Sequence, residues 1–157
     1  YTDEKNVALF SRHGVYTRTE IQSRQDINME EYAKIIHIEA LTLIDMLGKL
    51  IVPACAAYSS KLAEGVAAKA GIGVDAPAEA AQVRLLTEKT AELIERTERL
   101  KAVVAAEPEE LNARAMYEHE AVIPAMEAAR QVADELEGRV GKEYWPMPSY
   151  VDLLFYV

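Results

Sequence analysis

Between Thr17 and Gly65 only Gly48 and Pro53 interrupt a run of residues that otherwise tolerate a helix. Glycine costs a helix interior about 1 kcal/mol relative to alanine, whereas proline removes one backbone bond and kinks a long helix without having to end it. Thr17-Arg18-Thr19-Glu20 supplies a start, with Thr17 as N-cap and Glu20 three residues on as its capping-box partner. The first expected element is therefore one long helix from Thr17 to about Ala63, bent at Pro53. Before it, residues 1–16 read as an irregular lead-in with an apolar knot, Val7-Ala8-Leu9-Phe10, and a turn at Ser11-Arg12-His13-Gly14.

The remaining chain divides in the same way. Asp75-Ala76-Pro77-Ala78-Glu79 signals a second helix to about Ala106, with Asp75 as N-cap and Pro77 in the first turn. Leu86, Thr90, Leu93, Thr97, Leu100 and Val104 recur at spacings of four and three, the seam of a helix packed nearly antiparallel on another. Glu107-Pro108-Glu109-Glu110 turns into a third helix whose seam reads Leu111, Ala115, Glu118, Val122, Ala125, Ala129, Val132 and Leu136. Pro124 lies inside it as Pro53 lies inside the first, in a similar apolar setting. Gly138 and Gly141 close it. With alanine plentiful and glycine and proline scarce, the fold class is all-α. Residues 1–157 are expected to form one domain: three long helices in an antiparallel bundle over 17–143, the first long and kinked, and an aromatic C-terminal cap at 144–157 that includes a short helix.

One stretch and one ending carry unusual grease. From Lys34 to Val52, the residues Lys34, Thr42, Asp45 and Lys49 share about a quarter turn of the helical wheel, and outside it only His37 and Glu39 are plainly polar. A helix so apolar needs several neighbours, from its own chain or from another subunit. The C-terminal Tyr144-Trp145-Pro146-Met147-Pro148-Ser149-Tyr150-Val151-Asp152-Leu153-Leu154-Phe155-Tyr156-Val157 should run extended through its prolines and then, from a loose Ser149–Asp152 capping box, form a short helix through Phe155. Its aromatics either pack down on the chain's own core or dock on protein outside it.

Charge and chemistry exclude more than they offer. With 26 acidic against 17 basic residues the formal charge is -9, which opposes any nucleic-acid backbone. No apolar run is long enough to span a membrane, and Tyr1-Thr2-Asp3-Glu4-Lys5 has no leader character, so the expected setting is cytoplasmic. The chain starts without methionine, as a piece of a longer polypeptide would. The one cysteine, Cys55, lies in an alanine-rich stretch where a small buried thiol is the usual occupant. The residues three before His13, His37 and His119 are Phe10, Lys34 and Met116, so the Glu-x-x-His turns of a di-iron bundle are missing; there is no Cys pair and no His-Glu-x-x-His. His37, among Ile35, Ile36 and Ile38, reads as a hydrogen-bonded core or interface imidazole, and His119 as a surface residue. Glu39 and Glu118 stand at otherwise apolar positions, where they form either a carboxylate pair for acid-base work or separate pairs with Arg or Tyr. Phosphate-binding glycine loops and nucleophile elbows are also missing. No catalytic, cofactor or metal residue is assigned. The interface or packing candidates are Phe10, His37, Trp145, Tyr150, Leu153, Leu154 and Phe155.

Longer motifs add a resemblance. Glu4-Lys5-Asn6-Val7-Ala8-Leu9-Phe10, His13-Gly14-Val15, Glu20-Ile21-Gln22-Ser23-Arg24, Glu31-Tyr32, Ile38-Glu39-Ala40 and Pro53-Ala54 together resemble the region after the catalytic domain in type III glutamine synthetases. The ending is similar to that family's C-terminus, Trp-Pro-x-Pro-x-Tyr-x-Asp-Leu-Leu-Phe. The resemblance implies a parent enzyme that joins ammonia to glutamate using ATP and Mg2+ or Mn2+ and assembles as a large homo-oligomer of stacked rings. It also implies that the metal and nucleotide residues lie upstream, with no cofactor in this part. The partners it implies are the upstream catalytic domain and neighbouring subunits. The other reading consistent with the residues is a free-standing helical module that binds a partner or ligand between its helices.

Overall fold

A computed structural model describes residues 2–148 and 150–155. All regular structure among them is helical, without a strand. Helix α1 spans Glu4–Arg12, α2 Arg18–Met46, α3 Val52–Gly71, α4 Pro77–Ala105, α5 Leu111–Tyr117, α6 Ile123–Glu137 and α7 Tyr150–Leu154. Two π-helical turns, π1 at Leu47–Ile51 and π2 at Glu118–Val122, join α2 to α3 and α5 to α6 without a break.

The capping box at Thr17 forms as the sequence requires. The Thr17 N–H donates to Glu20 Oε2 at 2.7 Å, and the Glu20 N–H donates back to Thr17 Oγ1 at 3.3 Å. Three expectations need correction. Residues 4–12 are helical, not an irregular lead-in. Asp3 caps the Lys5 N–H at 2.9 Å, Val7 is buried, and Gly14 ends the segment at φ +62. The helix also lies against α2, where Arg18 grips Glu4 at 2.6 and 2.9 Å and the Phe10 ring meets Tyr16 edge-on at 5.7 Å. At the second helix start Ala76, not Asp75, is the N-cap, and it makes no side-chain bond. Pro77 alone, its φ already helical and its missing N–H needless in the first turn, marks the start. The first long helix, finally, runs beyond Ala63 to Gly71.

Both interior prolines are accommodated by a wider turn. A proline ring collides with the carbonyl four residues back. Just before each one the ladder slips: the Val52 N–H bonds Leu47 O and the Ile123 N–H bonds Glu118 O, each five residues back. Pro53 and Pro124 then enter α3 and α6 at their second positions.

Helix α2 contacts α5, π2 and α6, and helix α4 contacts both α3 and α6. Its seam is buried at Leu86, Leu93, Thr97, Leu100 and Val104, while the half-buried Thr90 donates its hydroxyl to Leu86 O at 2.6 Å. The core has two clusters. One holds Leu47, Ile51, Cys55, Leu86, Leu93, Ala129, Val132 and Leu136, with Tyr144 and Trp145 packed against it. The other joins Ala40, Leu100, Val104 and Val122. No helix among the described residues is long and apolar enough to cross a membrane.

Candidate functional site

The most chemically loaded place in the fold is where α2, the α4–α5 turn and π2 meet. His37 reaches it from α2, Glu107 from the turn, Arg114 from α5 and Glu118 from the first position of π2. Glu107 is the hub. Its Oε1 lies 2.8 Å from His37 Nδ1, and its Oε2 accepts from Arg114 Nη2 at 2.8 Å. Arg114 Nε faces Glu118 Oε1 at 3.8 Å, too far for a hydrogen bond.

Burial grades across the group. The His37 side chain is 31% exposed and Arg114 30%, Glu107 is 8% exposed and Glu118 is fully enclosed. Among the described residues neither oxygen of Glu118 has a hydrogen-bond partner, and Arg114 Nε has none either. Burial pushes the Glu118 carboxyl above its ordinary range, and the Glu107 carboxylate beside it adds to the rise, against the opposing pull of Arg114 and His37. A carboxylate held dry without a donor is costly, and such groups mark places where a protein does something besides packing. One donor atom each from His37, Glu107 and Glu118 lies within 4.8 Å of the others.

The sequence singled out two of these residues. His37 is the hydrogen-bonded, half-buried imidazole expected of it, and Glu118 does face an arginine. The proposed Glu39–Glu118 pair does not form: Glu39 lies on the exposed side of α2, and Glu107 takes its place. Sequence reading assigned Glu107 only to a turn. It is 70 positions from His37, and no local spacing links them. His119 is exposed, as expected.

The other candidates are scattered. Phe10 is half-buried at the α1–α2 contact. Trp145 lies against the first core cluster with its Nε1 enclosed and unbonded among the described residues, and Tyr144 packs on Tyr58 with ring centroids 5.2 Å apart. Leu153, Leu154 and Phe155 are 67, 63 and 69% exposed, at the end of α7 and just beyond it. Lys142 holds that helix through Asp152 at 2.7 Å. Tyr150 opens α7, and both its side chain and the Ser149 end of the expected capping box lie outside the described residues. Cys55 is buried, and burial pushes its thiol above the ordinary range, which leaves it inert.

Comparison with known proteins gives a consistent result. A family model described as the glutamine synthetase C-terminal domain matches residues 1–70. The chain is 33% identical to a type-3 glutamine synthetase of Dictyostelium discoideum over 97% of its own length and 22% of that protein's. It is 30% identical to a glutamine synthetase of Butyrivibrio fibrisolvens over 99% of itself and 23% of the relative, and 27% identical to one of Bacteroides fragilis over 99% and 22%. The chain thus spans less than a quarter of the length of these relatives.

Proposed function

We propose that this chain, which belongs to the type III glutamine synthetases as their C-terminal domain, is a non-catalytic helical domain that packs on the catalytic body of its enzyme and helps the subunits assemble. The observation that carries this reading is apolar surface that the chain's own fold leaves bare. Along α2, Ile27, Ile38 and Leu41 fall on one stripe, which they share with the exposed Lys34 and Asp45, and are 58, 60 and 47% exposed, with Ile35 beside them. Leu153, Leu154 and Phe155 add a second bare group at the end of the chain. Several large apolar side chains left exposed on one helix face and at the end of the chain are surface that a protein contact would cover. Less than a quarter of the relatives' length is accounted for here, so the remainder of such an enzyme is available to cover it.

On this reading the parent enzyme ligates ammonia to glutamate with ATP and Mg2+ or Mn2+, in the cytoplasm, as a homo-oligomer. The three long helical stretches form an antiparallel bundle. The make-up of the two core clusters supports this: residues rise from Ala40 to Cys55 in the first stretch and from Val122 to Leu136 in the third, while their α4 partners fall from Val104 to Leu86.

The test is made in the intact enzyme. Ile38→Glu with Leu41→Glu puts charge on the α2 stripe, and deletion of residues 145–157 removes the second group. Each should yield smaller species in sedimentation velocity while far-UV circular dichroism keeps its helical signal. Unchanged sedimentation for both variants would sink the proposal.

A further inference from the structure

The assembly role makes no use of the enclosed cluster at His37, Glu107, Arg114 and Glu118. We infer that His37 Nδ1, Glu107 Oε1 and the Glu118 carboxylate form a binding site for one divalent transition-metal cation. Three observations point there together. The donor atoms, drawn from three separate segments, already lie within 4.8 Å of one another, so a small closing movement brings them to the ~3 to 4 Å separations of ligands on a single ion. Glu118 is fully buried and, among the described residues, no donor meets either of its oxygens at hydrogen-bond distance, so its carboxyl group stands in the cluster without a partner. The cluster also gathers two acidic side chains and an imidazole around a single guanidinium, so its donor set outnumbers the one fixed cation beside it.

Arg114 fits this arrangement as the group that orients the ligands. It bonds Glu107 through Oε2 and leaves Oε1 facing His37 Nδ1 at 2.8 Å, a contact that an ion bound between them would replace, and its Nε stands 3.8 Å from Glu118 Oε1. The π-turn matters as well. The widened turn begins at Glu118, and such turns recur where a helix must aim a side chain at a site. The partly exposed edge of His37 is the way in, and it leaves room for water to complete the coordination shell. One imidazole nitrogen with two carboxylate oxygens favours Zn2+, Co2+, Mn2+ or Fe2+ over Mg2+ or Ca2+, which prefer oxygen alone.

The probe is the metal itself, on this full chain after chelator treatment. Zn2+ retained after gel filtration should be one ion per chain by elemental analysis, and Co2+ should give a saturable visible spectrum. His37→Gln and Glu118→Gln, both close in shape to the residues they replace, should each weaken Co2+ binding by about 10-fold or more. His119→Gln, on the exposed surface, should leave it unchanged. Far-UV circular dichroism checks that each variant is folded. A saturable rise in the melting temperature of the unaltered chain with Zn2+ gives a readout that depends on no variant. Retention of well under one Zn2+ per chain, or a Co2+ spectrum that survives Glu118→Gln, would overturn the inference and leave the cluster a closed network of ion pairs.

Discussion

Replacing Arg114 by methionine, in chelator-containing buffer, should be among the most damaging single changes outside the apolar core. The methionine keeps much of the stem's volume but removes the 2.8 Å bond to Glu107 and the guanidinium charge that stands 3.8 Å from Glu118. Both carboxylates are then left in a nearly dry site, and breaking a buried pair from one side costs ~3 to 5 kcal/mol. Arg114 is itself 30% exposed, so water can follow it in part, and the expected loss lies near the lower limit, about 3 kcal/mol. For a domain of this size each kcal/mol shifts the melting temperature by ~2 to 4 °C, which gives a fall of about 6 to 12 °C. The double variant Arg114→Met/Glu118→Leu removes the stranded charge along with its partner. It should therefore be more stable than Arg114→Met alone, with a coupling on the order of 1 to 3 kcal/mol. Urea unfolding followed by far-UV circular dichroism measures all the corners of this cycle, Glu118→Leu included. A single-variant loss under about 1 kcal/mol, the scale of an exposed ion pair, would refute the reasoning. So would strictly additive effects.

Other perturbations read other parts of the fold. Leu93→Ala, at a fully buried seam position of α4, should cost about 3 kcal/mol by urea unfolding, since the helices on either side can close the void only in part. Thr17→Ala removes one half of the capping box and should cost about 1 kcal/mol, with faster amide exchange confined to the first turn of α2. Cys55, enclosed and with its thiol shifted upward by burial, should react with a thiol reagent at mildly alkaline pH only as fast as the chain unfolds, and at once in denaturant. Rapid labelling of the native chain would mean that the first core cluster opens readily.

What could be read from the sequence was whatever rests on local chemistry. The Thr17 box, the α4 seam from Leu86 to Val104 and the burial of Ala115, Glu118, Val122, Ala129, Val132 and Leu136 follow from spacing along one helix. Helix α1 was hidden because its stability comes from contact with α2, through Glu4, Val7 and Phe10, more than from its own few turns. The Asp75 cap failed because Pro77 fixes the start more strongly than a side chain one residue further away. At the cluster, the sequence marked His37 and Glu118 as polar residues in apolar company. It could not mark Glu107, which reads as an ordinary acidic turn residue until the fold carries it to His37.

The two widened turns also limit which lengths this chain can have. Each places one residue more than a regular helix would between Leu47 and Val52 and between Glu118 and Ile123. A deletion of one residue inside either turn would restore the regular pitch and set Pro53 or Pro124 back against the carbonyl four residues before it. Every side chain beyond it would also swing by ~100° about the axis, carrying Cys55 or Ala129 away from α4 and towards solvent. A surface loop absorbs a lost residue, but these helices cannot, so homologous chains should hold their length at these two places even where their side chains drift.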